Sequence, residues 1–303
     1  MTLQAVEPSS RSTAGLFRVR SILETTALIV APVTVLTALL YYFGLRRSSS
    51  LWLRFGIDQS TLGFSLQDYV LRSVGAIFVP LGAILLCGIL IIEAHIHVIG
   101  WIEQGRRRGP LRAVILSTTF GGLALFGIGM ASEMGRPVVA QEQLVTPLAF
   151  ALGLAGMSYG GHLRKKRTAL LLADSRPNPT LSRLASLKLV LAGVLIVLSL
   201  FWALGDWAEA AGRGAAEQLV QDIPYRPGVV IFSKEQLFPD GSGVRAEGVG
   251  NAQSTYHFRY SDLKLLIRAD HKFFLVTSNW SDLNPLTIVL PESDSRLVEF
   301  VGQ

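Results

Sequence analysis

Long apolar blocks separated by short polar clusters dominate the first two thirds of this chain. The purest block is 74–92, VGAIFVPLGAILLCGILII, in which no residue is charged. As a helix it measures about 28 Å, close to the hydrocarbon thickness of a bilayer. In lipid every backbone group must find its partner within the segment, so the block predicts a transmembrane helix. Four more blocks share the pattern, at about 22–45, 111–131, 144–161 and 184–204. Five spans are therefore expected, the second extending past its apolar middle to about Trp101. Block 111–131 holds Gly121, Gly122, Gly127 and Gly129, and block 144–161 holds Gly156-Met-Ser-Tyr-Gly160, a GxxxG spacing. Small residues at such intervals let helix backbones approach closely.

The stretches between blocks carry their own signals. In 46–68, Leu51, Trp52, Leu53, Phe55 and Ile57 interleave with Arg54 and Asp58. That mixture predicts a segment lying in the membrane interface. Ser65-Leu-Gln-Asp68 has the spacing of a capping box and places the start of the second helix near Leu66. Gly105-Arg-Arg-Arg-Gly-Pro110 and Arg164-Lys-Lys-Arg167 end the second and fourth helices. Residues 205–221, GDWAEAAGRGAAEQLVQ, favour helix and are expected to project from the fifth span as a stalk, closed by Pro224 and Pro227.

Beyond residue 222 the period changes. Short β-prone runs recur at 229–232, 256–260, 263–268, 273–277, 286–290 and 297–301, with turn chemistry at 239–243 and 278–282. In Tyr256-His-Phe-Arg-Tyr260 the aromatic residues share one face, and His257 and Arg259 share the other. That alternation fits a half-buried antiparallel strand. The expected fold is an α-helical transmembrane bundle of five spans with a small all-β extracytoplasmic domain. Its divisions are a tail over 1–21, the membrane domain over 22–204, the stalk over 205–221 and the β domain over 222–303.

Charge changes the picture by giving it an orientation. The net charge of +6 suggests nucleic acid until it is mapped. Residues 222–303 carry eight Lys and Arg against ten Asp and Glu, a net of −2, which leaves +8 for residues 1–221. Those charges flank the apolar blocks, as in membrane topology rather than a phosphate-binding face. With the N-terminus inside, the cytoplasmic pieces hold thirteen Lys and Arg and the outer short loops five. The bias predicts N-in and C-out. The apolar run after the basic tail is too long for a signal peptide, so an uncleaved first span is expected. Cys87 is the single cysteine, which excludes a disulfide within the chain.

Leu40-Tyr-Tyr-Phe-Gly44, Phe55-Gly-Ile-Asp58, Leu62-Gly-Phe-Ser65 and Gln67-Asp-Tyr-Val-Leu-Arg-Ser73 form an ordered set of short motifs. Val230-Ile-Phe-Ser233, Tyr256-His-Phe-Arg-Tyr260 and Phe273-Phe-Leu275 continue it. Together they resemble a pattern of uncharacterised multi-pass membrane proteins of actinobacteria, streptomycetes especially. The resemblance covers most of the chain. It implies a host and a compartment, and it carries over no mechanism and no functional residue.

Three groups of residues are candidates for function. Glu93, His95 and His97 lie at the inner end of the second helix, with Glu93 and His97 on one face and His95 elsewhere. Ionisable groups at membrane depth suit proton relay or metal ligation. Their position nineteen residues from Val74 equally suits the headgroup interface, beside Trp101 and the arginines. His162 is the only other histidine in the membrane part, so a zinc site has little to draw on. At the outer end stand Asp58, Asp68, Tyr69 and Arg72, either a ligand site or a helix cap with a snorkelling arginine. On the β domain, His257 and Arg259 form a polar face suited to a partner.

No span carries a charge at its centre, which weighs against an ion-coupled transporter. No GxSxG or GxGxxG stands in strand–helix context, and no HExxH or P-loop is present. The expected function is a non-enzymatic sensor or interaction protein of the cell envelope, without cofactor. Its expected partners are the lipid bilayer and a membrane or envelope protein, with a homo-oligomer as a further option and no nucleic acid. The alternatives are an oligomeric channel or transporter with a path past Glu93 and His97, and, less favoured, an enzyme acting on lipid or envelope substrates at Asp58, Asp68 and Arg72.

Overall fold

The structure is a computed structural model that describes residues 10–103, 108–133, 144–171, 179–237, 244–250, 254–293 and 296–301. Five long helices come first: α1 (Ser10–Leu53), α2 (Leu66–Glu103), α3 (Arg108–Glu133), α4 (Val145–Leu171) and α5 (Pro179–Asp222). Six strands follow: β1 (Gly228–Ser233), β2 (Arg245–Gly248), β3 (Phe258–Ala269), β4 (Lys272–Thr277), β5 (Thr287–Pro291) and β6 (Arg296–Val301). The chain is thus mostly helical with an antiparallel sheet at its C-terminal end, as expected.

Among the described residues three helices, not five, are long and apolar enough to cross a membrane, and they lie in α2, α3 and α5. Their apolar side chains face outward rather than into a core: Phe78 is 78% exposed, and Leu85, Ile89, Ile92, Val190 and Val197 are exposed like it. A continuous apolar surface of that extent needs lipid or protein against it. Helix α4 falls short because its sequence is spent on packing. Gly153, Gly156 and Gly160 set their backbones against Gly122, Thr118 and Thr119 of α3, where an added Cβ would lie 2.8, 2.9 and 2.3 Å from the nearest atom. Gly122, Gly129, Gly153, Gly156 and Gly160 therefore serve contacts between α3 and α4, whereas Gly121, Gly127 and Gly161 face open space.

Helices consecutive along the chain pack against one another. Gly44 of α1 abuts the Tyr69 carbonyl near the start of α2. Gly122 of α3 meets Gly153 and Met157 of α4, and Phe150 near the start of α4 stacks on Trp202 of α5. α1 and α5 run parallel, joined by Tyr42 stacked on Phe201 and by the Ser50 hydroxyl donating to the Glu209 carbonyl. Near the C-terminal end of α2, Val98 of α2, Ile115 of α3 and Leu163 of α4 form a small buried cluster.

Several expected boundaries and surroundings change. Helix α1 begins at Ser10, inside the stretch read as a tail, and continues to Leu53 instead of stopping at residue 45. Within residues 46–68, expected in the interface, Trp52, Phe55, Ile57 and Leu62 are buried beneath the sheet. Their mixture of apolar and charged residues reflects one buried face and one wet face. The expected stalk is the last part of α5 and lies along α1, with Ala216 fully enclosed. The expected turn at 239–243 lies outside the described residues.

The sheet runs β5-β4-β3-β1-β6, with β2 pairing beside β4 on the same edge of β3. Of the runs expected at 256–260 and 263–268, residues 258–260 and 263–268 belong to one strand, β3, with a bulge between them: the register jumps from Val229↔Leu263 to Ile231↔Tyr260. Asp262 takes φ 64° and accepts from the Ser278 amide and hydroxyl. A bulge places one unpaired residue in a strand and bends it, so the outer edge of β3 serves β2 before it and β4 after it. Asp270 and His271, at φ 47° and 53°, make the two-residue turn between β3 and β4 that matches the strand twist.

The β domain has two cores. One face of the sheet carries Val229, Ile231, Tyr260, Leu263, Phe273 and Leu275, closed by Leu237 and Val244. The other carries Leu266, Phe274, Val276 and Trp280, and these pack on Trp52 at the end of α1, on Phe55 just past it, and on Ala216 and Ile223 at the end of α5.

Candidate functional site

The junction of helices and sheet gathers more interlocking polar residues than any other region described. Arg46 of α1 pairs with Glu209 of α5 at 2.8 Å, and Arg213 approaches the same carboxylate at 3.8 Å. Arg54, just past α1, bridges Glu217 of α5 at 3.3 Å and Asp282 of the β domain at 2.8 Å. Thr287 at the start of β5 donates to the Phe55 carbonyl at 2.8 Å. Trp207 of α5 donates its indole N–H to the Ala76 carbonyl of α2 at 2.8 Å. A cleft of about 510 Å³ lies here, lined by Ser49, Ser50, Arg54, Glu209, Arg213 and Glu217. Its charges are spent on one another, so the arrangement acts first as a clamp between α1, α5 and the sheet.

The outer cluster expected from sequence is assembled directly beneath this junction. Asp58 caps a short 3₁₀ turn (Gln59–Leu62) by accepting from the Ser60 amide at 2.8 Å. Hydrogen bonding from the Ser60 side chain, and then from its amide, holds the Asp58 carboxyl below the usual carboxylate range. Asp68 accepts from the Ser65 amide at 2.9 Å and from its hydroxyl at 2.7 Å, and the Asp68 amide donates back to Ser65 at 3.3 Å. This is the reciprocal box that the spacing predicted, and it satisfies orphan donors at the helix start. Tyr69 is buried edge-on between Tyr41 and Phe64. The Arg72 guanidinium lies 4.1 Å from the Phe64 ring centre, and its carbonyl accepts from Arg47 at 3.2 Å. All four residues hold α1, α2 and their connection together.

The inner cluster divides. Glu93 and His97 are both exposed and interact with each other, His97 Nδ1 lying 2.9 Å from the Glu93 carbonyl oxygen and 3.6 Å from its carboxylate. His95 turns to α4, with Nδ1 3.0 Å from the Tyr159 hydroxyl and its ring 6.4 Å from that of His162. Among the described residues no three His, Cys, Asp or Glu converge as metal ligands. Ser158 sits in a GxSxG spelling, Gly156-Met-Ser-Tyr-Gly160, yet inside helix α4 rather than on the strand-to-helix turn that would expose a nucleophile.

On the β domain His257 is exposed, and Arg259 pairs with Glu247 of β2 at 2.9 Å. The open edge strand β6 sets out Leu297, Phe300 and Val301, all exposed. Around the β3–β4 turn Arg268 grips Glu292, which keeps that carboxyl low and raises the guanidinium. Lys272 does the same to Asp270 at 2.8 Å.

The junction residues were missed from sequence because Arg46 and Glu209, or Arg54 and Asp282, are far apart along the chain. Only Glu209, Arg213 and Glu217, spaced four apart on one helix, carried a local signal. Scanned against family models, curated proteins and solved structures, the chain matches none.

Proposed function

We propose that the chain is a five-span, N-in membrane protein whose β domain stands outside the membrane and acts as a non-enzymatic sensor or interaction module of the cell envelope. The observation that carries this reading is the continuity of α1 and α5 from the bundle into the sheet's lower core. A ligand or partner that moves the sheet must move two helices that also line the bundle. Transmission of that kind needs a rigid element with differential contacts in two states.

The helix packing supports five crossings, as the charge pattern does. α3 and α5 are both antiparallel to α4, and in this reading the chain recrosses between them through α4. α1 runs parallel to α5 and in this reading crosses in the same sense. The positive-inside bias supports a β domain outside the membrane.

The recognition surface in this reading is the His257 and Arg259 face with the open β6 edge. Edge strands bind extended peptides through their free backbone groups. The test is cross-linking and co-purification of the full chain from native membranes. The double variant His257→Ala, Arg259→Ala loses the captured partner while keeping its yield in the membrane fraction. Capture that survives the double variant unchanged refutes the assignment of this face.

A further inference from the structure

A second cavity of about 510 Å³ opens between α3, α4 and α5. Leu154, Met157, Leu187, Leu191 and Leu195 form its floor, and Arg164 and Lys188 stand at its inner end. We propose that this groove binds an anionic phospholipid of the cytoplasmic leaflet, with its phosphate between Arg164 and Lys188 and one acyl chain along the leucines. The inference rests on the membrane reading above and specifies a ligand for it.

Three observations choose this occupant. First, the dimensions fit: from Leu154 to Arg164 the α4 axis rises about 15 Å, half the hydrocarbon thickness of a bilayer, which is the reach of one leaflet. Second, the polarity is graded. The groove is apolar along its length and basic at one end, whereas a soluble anion needs no apolar floor and an apolar membrane helix, whose backbone is satisfied internally, needs no basic end. Third, the charge is uncompensated. Among the described residues no carboxylate pairs with Arg164 or Lys188. Along the sequence the only acidic residue between Glu142 and Asp206 is Asp174, against seven Lys and Arg. Basic pockets between helices on the cytoplasmic side hold anionic headgroups in this way.

The Arg164 side chain supplies two N–H groups that fit phosphate oxygens side by side, and Lys188 adds a point charge from the facing helix. Gly161 keeps the groove mouth open: nothing lies within 4 Å of where its Cβ would stand.

The test uses the full chain, purified in detergent and stripped of lipid, with native mass spectrometry against dioleoylphosphatidylglycerol and dioleoylphosphatidylcholine. Two basic residues near a lipid surface predict a preference of about thirtyfold for the anionic lipid. Arg164→Gln with Lys188→Gln reduces it to near parity, Arg164→Lys retains most of it, and Arg245→Gln on the β domain leaves it unchanged. Ala192→Trp, which fills the floor, reduces binding of both lipids. A preference that persists in the double Gln variant overturns the proposal, and so does displacement of the lipid by inorganic phosphate alone. Equal binding of both lipids by the unaltered chain refutes the groove while leaving the membrane reading intact. A chain that binds neither lipid and stays monodisperse without detergent refutes both.

Discussion

Gly212 and Gly214 lie two residues apart on α5 and should respond in opposite ways to the same substitution. A Cβ at Gly212 would sit 2.0 Å from Ser50 Oγ and 2.2 Å from the Arg47 carbonyl oxygen of α1. The serine can rotate, but the carbonyl is backbone inside a helix and cannot. α1 and α5 must therefore separate, and forcing extra volume into a packed contact costs about 1–3 kcal/mol. Separation also breaks the hydrogen bond from Ser50 to the Glu209 carbonyl, about 1 kcal/mol more. Against this, Gly→Ala in a helix returns about 1 kcal/mol of backbone entropy and propensity. The net expectation for Gly212→Ala is a loss of roughly 2 kcal/mol. At Gly214 nothing lies within 4 Å of the added Cβ, so only the propensity gain of about 1 kcal/mol remains. The assay is intrinsic-fluorescence thermal unfolding of the purified full chain, reading the apparent midpoint. Gly214→Ala should raise it by about 2 °C or more and Gly212→Ala should lower it by more than that. Equal shifts of the same sign would refute the close approach of α1 to α5, and with it the clamp.

Three further outcomes follow from the same geometry. Phe274→Ala empties a fully buried site between the sheet and the helix ends, costing about 3–5 kcal/mol; limited proteolysis should release the β domain while far-UV circular dichroism retains the helical signal. Asp68→Ala removes the acceptor for the Ser65 amide and hydroxyl, and hydrogen exchange at the first turn of α2 should accelerate about fivefold with the rest of the helix unchanged. Asp58, Asp270 and Glu292 all have folded-state pKa values below their unfolded ones, so their stabilisation is complete above the ordinary carboxylate range, about pH 4, and is lost as pH falls through the depressed values. The unfolding midpoint should accordingly fall on acidification below about pH 4, and Glu292→Gln should flatten that slope.

Much of the architecture was legible along the chain because its signals are local. The apolar block 74–92 needs no neighbour to declare itself, since backbone satisfaction in lipid is a property of one segment. The Ser65–Asp68 box closes within a single turn, and the strand periods of 229–232 and 273–277 are set by which side chains alternate. The bulge at Ser261-Asp262 is not legible in this way, because two polar residues between β-prone runs look alike locally whether they end a strand or bend it. Helix α4 shows the limit of counting apolar residues, because its glycines lower its hydropathy and at the same time fit it to α3.

Tertiary structure decided what joins what. Residues 46–62 read as an interfacial segment because charge and apolar surface alternate there, and only the sheet above them explains which face is dry. Arg46 and Arg54 look like a basic cluster opposing the expected topology until Glu209, Glu217 and Asp282 arrive beside them from elsewhere in the chain. His95 could be separated from Glu93 and His97 by helical period alone, but Tyr159 and His162 beside it come from a different helix. Apolar character and segment order depend on the solvent preference of each stretch, so sequence by itself determined them. The clamp and the groove between α3, α4 and α5 depend on charges and small residues brought together from distant positions, so only the fold could place them.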